Sequence, residues 1–215
     1  MSFSDKQIIE ARNELWRKGN LAWKNSPTQT KIIDFWNKCD TRVSVWNLGR
    51  RSGKSFLLCL LGISMCLKKK KATVKMLQPE QKMCKTNINP IIEQIIEDCP
   101  PDLRPKFHTP DSAWYFPNGS RFQIAGTDKG NYKKLRGGDS DLCLIDEAGF
   151  VADDLGHIIR SVLLPTTLRT RGKIILSSTT PVDAEHEFLT YMEKAEAQGS
   201  LYSATLYDRD WETLI

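Results

Sequence analysis

The sequence predicts an α/β fold: a three-layer, mainly parallel sheet with helices on both faces. Three observations predict it. Residues 142–145 and 173–178 are apolar runs of the kind seen in strands covered on both faces, without the alternation of a one-sided sheet. Segments with helical periodicity separate the strand candidates, and that alternation implies right-handed parallel crossovers. The length of 215 residues, with 40% hydrophobic and 27% charged, suits one α/β domain or one with small appendages.

Composition excludes several classes. The longest apolar run, about Phe56–Leu67, is too short to span a bilayer, so no membrane partner is expected. The start, Met1-Ser2-Phe3-Ser4-Asp5-Lys6, lacks an apolar signal core, so export is not indicated. Six cysteines, at 39, 59, 66, 84, 99 and 143, form no CxxC pair and read as buried thiols of a reducing cytoplasm. A formal charge of +5 permits a polyanionic partner without requiring one.

In chain order, residues 4–24 predict a helix, with Ser4 and Gln7 as a capping box. Asn25-Ser26-Pro27-Thr28-Gln29 is a turn, and a helix Gln29–Cys39 follows. A strand Arg42–Asn47 leads into a turn with two glycines and then a helix running to about Leu67. Lys68–Lys71 ends that helix, where four lysines suit the exposed dipole as a solvated face. A strand Ala72–Leu77 precedes a helix Gln81–Asp98, stopped by Cys99-Pro100-Pro101. Asn118-Gly119 closes a hairpin between 112–116 and 121–125. Gly126–Asp139, polar and glycine-rich, reads as a mobile loop. The remainder predicts strand Leu142–Ile145, a helix Asp153–Leu164 ending at Pro165, strand Lys173–Ser178, helix Glu185–Gln198 and strand Leu201–Leu206. The organisation expected is a helical segment over 1–40 and a core over 41–215.

The chemistry gathers at strand ends, where ligands sit in such folds. Gly49-Arg50-Arg51-Ser52-Gly53-Lys54-Ser55 joins a strand to a helix N-terminus, whose N–H groups and dipole suit an anion. A lysine there brings charge to outer phosphates and a serine hydroxyl reaches Mg²⁺. Leu48 stands where the usual first glycine belongs, and two arginines lie inside the loop. The second anchor is Leu142-Cys143-Leu144-Ile145-Asp146-Glu147-Ala148, which places two carboxylates at the tip of a buried strand. Asp146 suits the metal shell, and Glu147 suits a base that orients water. Ser177-Ser178-Thr179-Thr180-Pro181 ends a third strand in hydroxyls that can sense a phosphate. Gln29 has an amide able to read an adenine edge. Lys133-Lys134-Leu135-Arg136-Gly137-Gly138 is a basic stretch able to touch DNA or a neighbouring subunit's nucleotide.

Taken together, these residues resemble the ATPase domain of the large terminase subunit, the DNA-packaging motor of tailed bacteriophages. Ser26-Pro27-Thr28-Gln29 resembles its adenine motif, Gly49–Ser55 its deviant phosphate loop, and Lys134–Gly137 with Asp141–Ala148 its acidic motif and approach. Ser178-Thr179-Thr180-Pro181 resembles its coupling motif. The resemblance implies a RecA-like (ASCE) P-loop NTPase that hydrolyses ATP with Mg²⁺ to translocate double-stranded DNA. It implies nucleotide contacts from Gln29, Gly49, Arg50, Arg51, Ser52, Gly53, Lys54, Ser55 and Phe56. Metal would be held by Ser55 and Asp146, catalysis carried by Glu147 with Arg50 or Arg51, and coupling by Thr179 and Thr180. An arginine acting in trans comes from Arg104, Arg121, Arg136 or Arg169. The implied partners are a portal protein, the small terminase subunit and further copies in a ring, a pentamer, with a monomer in isolation as the other possibility. The implied place is the host cytoplasm during phage assembly. The carboxylate cluster of the family's C-terminal nuclease is absent before Ile215, so no DNA cutting is expected of this chain. Two rival expectations stand beside this one: one core domain of a helicase-like ATPase, and a nucleotide-dependent assembly module with little turnover.

Overall fold

A computed structural model describes residues 4–152 and 154–205. Eight strands form one sheet in the order β3-β4-β5-β2-β6-β7-β1-β8. They are β1 Val43–Leu48, β2 Thr73–Gln78, β3 Lys106–His108, β4 Ala113–Tyr115, β5 Arg121–Gly126, β6 Leu142–Asp146, β7 Lys173–Ser178 and β8 Leu201–Ala204. The six from β5 to β8 across the sheet run parallel, and β3 and β4 add an antiparallel edge. One strand, β7, lies between β1 and β6. The carboxyl ends of those three strands therefore share one rim.

Strand periodicity splits the core in two. Trp46, Val74, Met76, Leu142 and Leu144 face one layer; Val45, Leu77, Cys143 and Ile145 face the other. The first layer holds helices α1 (Asp5–Arg17), α2 (Pro27–Lys38) and α3 (Lys54–Lys68) with the helix through Asn89–Ile95. The second holds the helical stretch 155–167 and the helix Glu187–Ala197. All six cysteines are buried and unbridged, and burial pushes the Cys84 and Cys99 thiols up to about 12. Among the described residues no helix is long and apolar enough to cross a membrane.

Several boundaries move for physical reasons. Ser4 and Gln7 form the expected capping box, but α1 stops at Arg17, short of residue 24. Gly19 turns left-handed at φ +61, Asn20 N–H returns to Leu15 O, and Gly19 N–H to Trp16 O, the paired bonds of a glycine stop. A Cβ at Gly19 would also lie 2.7 Å from Lys68 Cγ, so the stop lets α1 approach α3. The second helix starts at Pro27, two residues before Gln29, because Ser26 caps it. The helix over 155–167 runs through Pro165 to Thr167. A π-helical segment, Ile158–Leu163, precedes that proline, and another, Cys84–Ile88, precedes Pro90. The wider turn accommodates a residue that cannot donate its nitrogen. Strand β3 was not expected; it pairs with the foreseen hairpin strand β4. Gly126–Asp139 is no open loop but a run of tight turns, Asp128–Leu135, half covered. Lys69, inside the run read as solvated, pairs with Asp141 at 2.5 Å. Of the predicted elements, Asp153 and Leu206 fall outside the described residues.

Candidate functional site

The loop between β1 and α3 is shaped by two left-handed residues, Arg51 at φ +61 and Gly53 at φ +75. Gly53 is needed for space as well as conformation: a Cβ there would stand 2.6 Å from Gln29 Nε2. Gln29 Nε2 donates to Gly53 O at 3.1 Å, and Gln29 Oε1 accepts the Ser26 N–H at 2.8 Å. The glutamine therefore ties the α2 capping box to the phosphate loop, and most of its amide is occupied in that bridge. Beyond Gly53, Lys54 and Ser55 open α3, with free N–H groups at its end.

Asp146 ends β6 in register with Ser177 of β7. Ser55 Oγ donates to Asp146 Oδ2 at 2.6 Å, and Gln78 Nε2 donates to the same oxygen at 2.8 Å. Burial pushes the Asp146 carboxyl above its ordinary value, against those two hydrogen bonds and the nearby Lys54 charge. Glu147 follows in a left-handed conformation, φ +51, a strained state for a non-glycine residue. Lys54 Nζ lies 3.6 Å from Glu147 Oε1. Burial raises the Glu147 carboxyl, the Lys54 ammonium opposes this, Asp146 adds to it, and the Arg50 charge is also felt.

The structure thus brings Lys54 and Ser55 together with Asp146 and Glu147, with Ser55 and Asp146 91 positions apart in the chain and Arg50 exposed alongside. Phe56 packs partly buried against the core. Thr180 reaches the same rim, where its Oγ1 donates to Asn47 Oδ1 at 3.1 Å, and Ser178 Oγ accepts the Gly149 N–H at 3.0 Å. Thr179 lies beside it, its carbonyl packed against Gly149. Two site residues escaped the sequence reading. Gln78 and Asn47 are polar residues at or near the ends of apolar strands, and that position is the signal each carried.

The four arginine candidates are scattered. Arg104 donates to the Glu97 and Cys99 carbonyls and ties down the chain beyond the Asn89–Ile95 helix. Arg121 Nε donates to Thr73 Oγ1 at 3.3 Å. Arg169 pairs with Asp139. Arg136 is exposed and meets His157 Nε2 at 3.3 Å.

Among the described residues, no three His, Cys, Asp or Glu side chains gather closely enough to hold a metal alone. The donors instead fit Mg²⁺, which binds through one or two protein oxygens, substrate phosphates and water. Asp146 is a fully buried carboxylate whose hydrogen-bond donors are all neutral, and Ser55 adds a second oxygen against it.

A phosphate loop and an acidic strand tip, separated by one strand of a parallel sheet, define the RecA-like class of P-loop fold. Within that class the chain belongs to the terminase large-subunit family: the family described as "Terminase large subunit, T4likevirus-type, N-terminal" matches residues 45–212. Solved structures agree in fold. The Thermus phage P74-26 large terminase ATPase domain is 16% identical, with a TM-score of 0.65 over 98% of this chain and 87% of that one. The HK97 bacteriophage large terminase is 13% identical, with a TM-score of 0.69 over 97% of this chain and 46% of that one. The large terminase of a thermophilic bacteriophage, solved in complex with ADP, is 14% identical, with a TM-score of 0.66 over 84% and 45%. The chain spans about half the length of these last two proteins. No curated protein sequence matches it.

Proposed function

We propose that this chain hydrolyses ATP at the β1–β6–β7 rim and is a motor domain driving double-stranded viral DNA into a procapsid. The observation that carries the reading is the Ser55–Asp146 contact at 2.6 Å with Lys54 and Glu147 beside it. Family membership and the ADP complex of the thermophilic-phage relative support it.

The loop N–H groups and Lys54 hold the phosphates. Lys54 must leave Glu147 to reach them, and its departure frees the Glu147 carboxylate to orient and deprotonate the attacking water. Ser55 and Asp146 are the Mg²⁺ holders; the ion, when bound, neutralises charge on the phosphates. Arg50 or Arg51, both exposed in the loop, is assigned the contact with the γ-phosphate. Gln29 shapes the loop and meets adenine with its remaining amide hydrogen. Thr179 and Thr180 sense the γ-phosphate and pass its loss through Asn47. Arg136 is the arginine assigned to a neighbour's site, because Arg104, Arg121 and Arg169 are each engaged within their own fold. A ring of copies, five in the family pattern, would dock on a portal protein with the small terminase subunit in the host cytoplasm. We assign no nuclease reaction to these residues.

The Lys54–Glu147 pair favours one alternative, a module that turns over slowly until a neighbour reorganises the site. Phosphate release measured against protein concentration separates the two: a rate per chain that rises with concentration supports the ring motor. Negligible release at every concentration, equal in wild type and Glu147→Ala, would sink the enzyme reading.

A further inference from the structure

The Asp128–Leu135 turns carry Lys129, Lys133 and Lys134, all exposed; Arg136, the residue after them, is the one assigned above to a neighbour's site. The three lysines pair with no carboxylate among the described residues, and Arg136 meets only an imidazole nitrogen. Crowded like charges repel, and a free loop would spread them. This one is held at both ends. At its start, Thr127 and Asp128 N–H groups donate to the Gln78 and Pro79 carbonyls at 2.8 and 3.1 Å, and Asp128 Oδ1 accepts the Gln81 N–H at 2.7 Å. At its end, Lys75 Nζ donates to the carbonyls of Leu135, Gly137 and Gly138 at 2.7, 3.0 and 3.3 Å.

Lys75 is fully buried on β2 and makes no ion pair among the described residues, although the Asp139 charge is felt there. Burial pushes its ammonium below the ordinary value, so the three carbonyls hold a charge that the interior disfavours. Such an amine fastens the backbone of residues 135–138 from beneath. Both grips come from β2 and the three residues after it, the strand whose last residue, Gln78, also holds Asp146. The basic surface is thus fixed in shape and rooted beside the nucleotide site.

We propose that this turn is a contact surface for the phosphate backbone of double-stranded DNA, with Lys75 as the residue that positions it. The inference rests on the motor reading and names where that motor meets its polymer. Spaced ammonium groups on a fixed backbone match regularly spaced phosphates and read no base sequence.

The test is fluorescence anisotropy of the full chain with mixed-sequence duplex DNA between 50 and 200 mM salt. One variant combines Lys129→Gln, Lys133→Gln and Lys134→Gln, leaving Arg136 in place. A charge-matched control combines Lys68→Gln, Lys70→Gln and Lys71→Gln, at the far end of α3. The turn variant should lose about 2.7 from the log–log salt slope, so that wild type loses roughly 40-fold more affinity than it over that range. The control should keep the wild-type slope. Lys75→Met removes no surface charge, yet should lower both affinity and slope in protein that still melts cooperatively. No DNA binding by wild type, an unchanged slope in the turn variant, or an equal loss in the control overturns the proposal. DNA-free ATP turnover of wild type, measured in parallel, keeps the two readings apart. Its absence at every protein concentration rejects the motor, whereas turnover with an unchanged slope rejects only this surface.

Discussion

At the amino ends of β2 and β6, Asp141 accepts the Thr73 N–H at 2.8 Å and holds the Lys69 ammonium at 2.5 Å. At the carboxyl ends of the same two strands, Gln78 meets Asp146, a buried carboxylate with neutral donors only. Beside it Glu147 is left-handed, and among the described residues the buried Ser52 and Ser177 hydroxyls have no partner. One end closes its polar groups on one another. The other leaves charge, strain and hydrogen-bonding capacity for a ligand to use. The proposed site thus lies at the carboxyl ends of β2 and β6, and the paired polar groups at their amino ends.

Mutations at the two ends test that separation, and the largest effect is expected at the carboxyl end. Glu147→Gln should lower ATP turnover by about 10²–10⁴-fold with nucleotide affinity kept, read by steady-state phosphate release and equilibrium titration. Lys54→Ala should weaken nucleotide binding by roughly a hundredfold, since a charged hydrogen-bonding group to the phosphates is lost. Unchanged affinity would refute the phosphate-loop assignment. Asp141→Ala acts at the other end, leaving the Thr73 N–H and Lys69 without an acceptor. It should cost about 1–3 kcal/mol and lower Tm by several degrees while turnover per folded molecule holds. A loss of turnover beyond the folded fraction would break the comparison.

The smallest effect is on pH dependence. Asp146 and Glu147 are both held above their ordinary values, so in the window just above the normal carboxylate range the folded chain binds more protons than the unfolded one. Stability of the nucleotide-free protein should therefore fall as pH rises through that window. Glu147→Gln should flatten the fall, as read by Tm against pH. The acid limb of turnover should likewise lie above the ordinary glutamate range, because Glu147 must be ionised to act as base.

The local motifs were legible because each is written in consecutive residues. Glycine spacing around Lys54, an apolar run ending in Asp146-Glu147, and Asn118-Gly119 between strands each impose their geometry on a few neighbouring residues. Gln78, Asn47 and Lys75 were not legible as site or anchor residues. Each acquires its role from a partner far along the chain: Asp146, Thr180 and the carbonyls of 135–138 respectively. The same cause explains the loop 126–139, whose composition reads as mobile although a buried amine from β2 fastens it.

By itself, then, the sequence determined the layered α/β class, the glycine-bearing turn before Lys54 and the acidic pair at a strand end, because hydrophobic period and turn chemistry are local. The tertiary structure alone decided that β7 separates β1 from β6, that Ser55 meets Asp146, and that Gln29 braces Gly53. Those facts depend on strand order and register, set by how two apolar faces bury against helices distant in the chain.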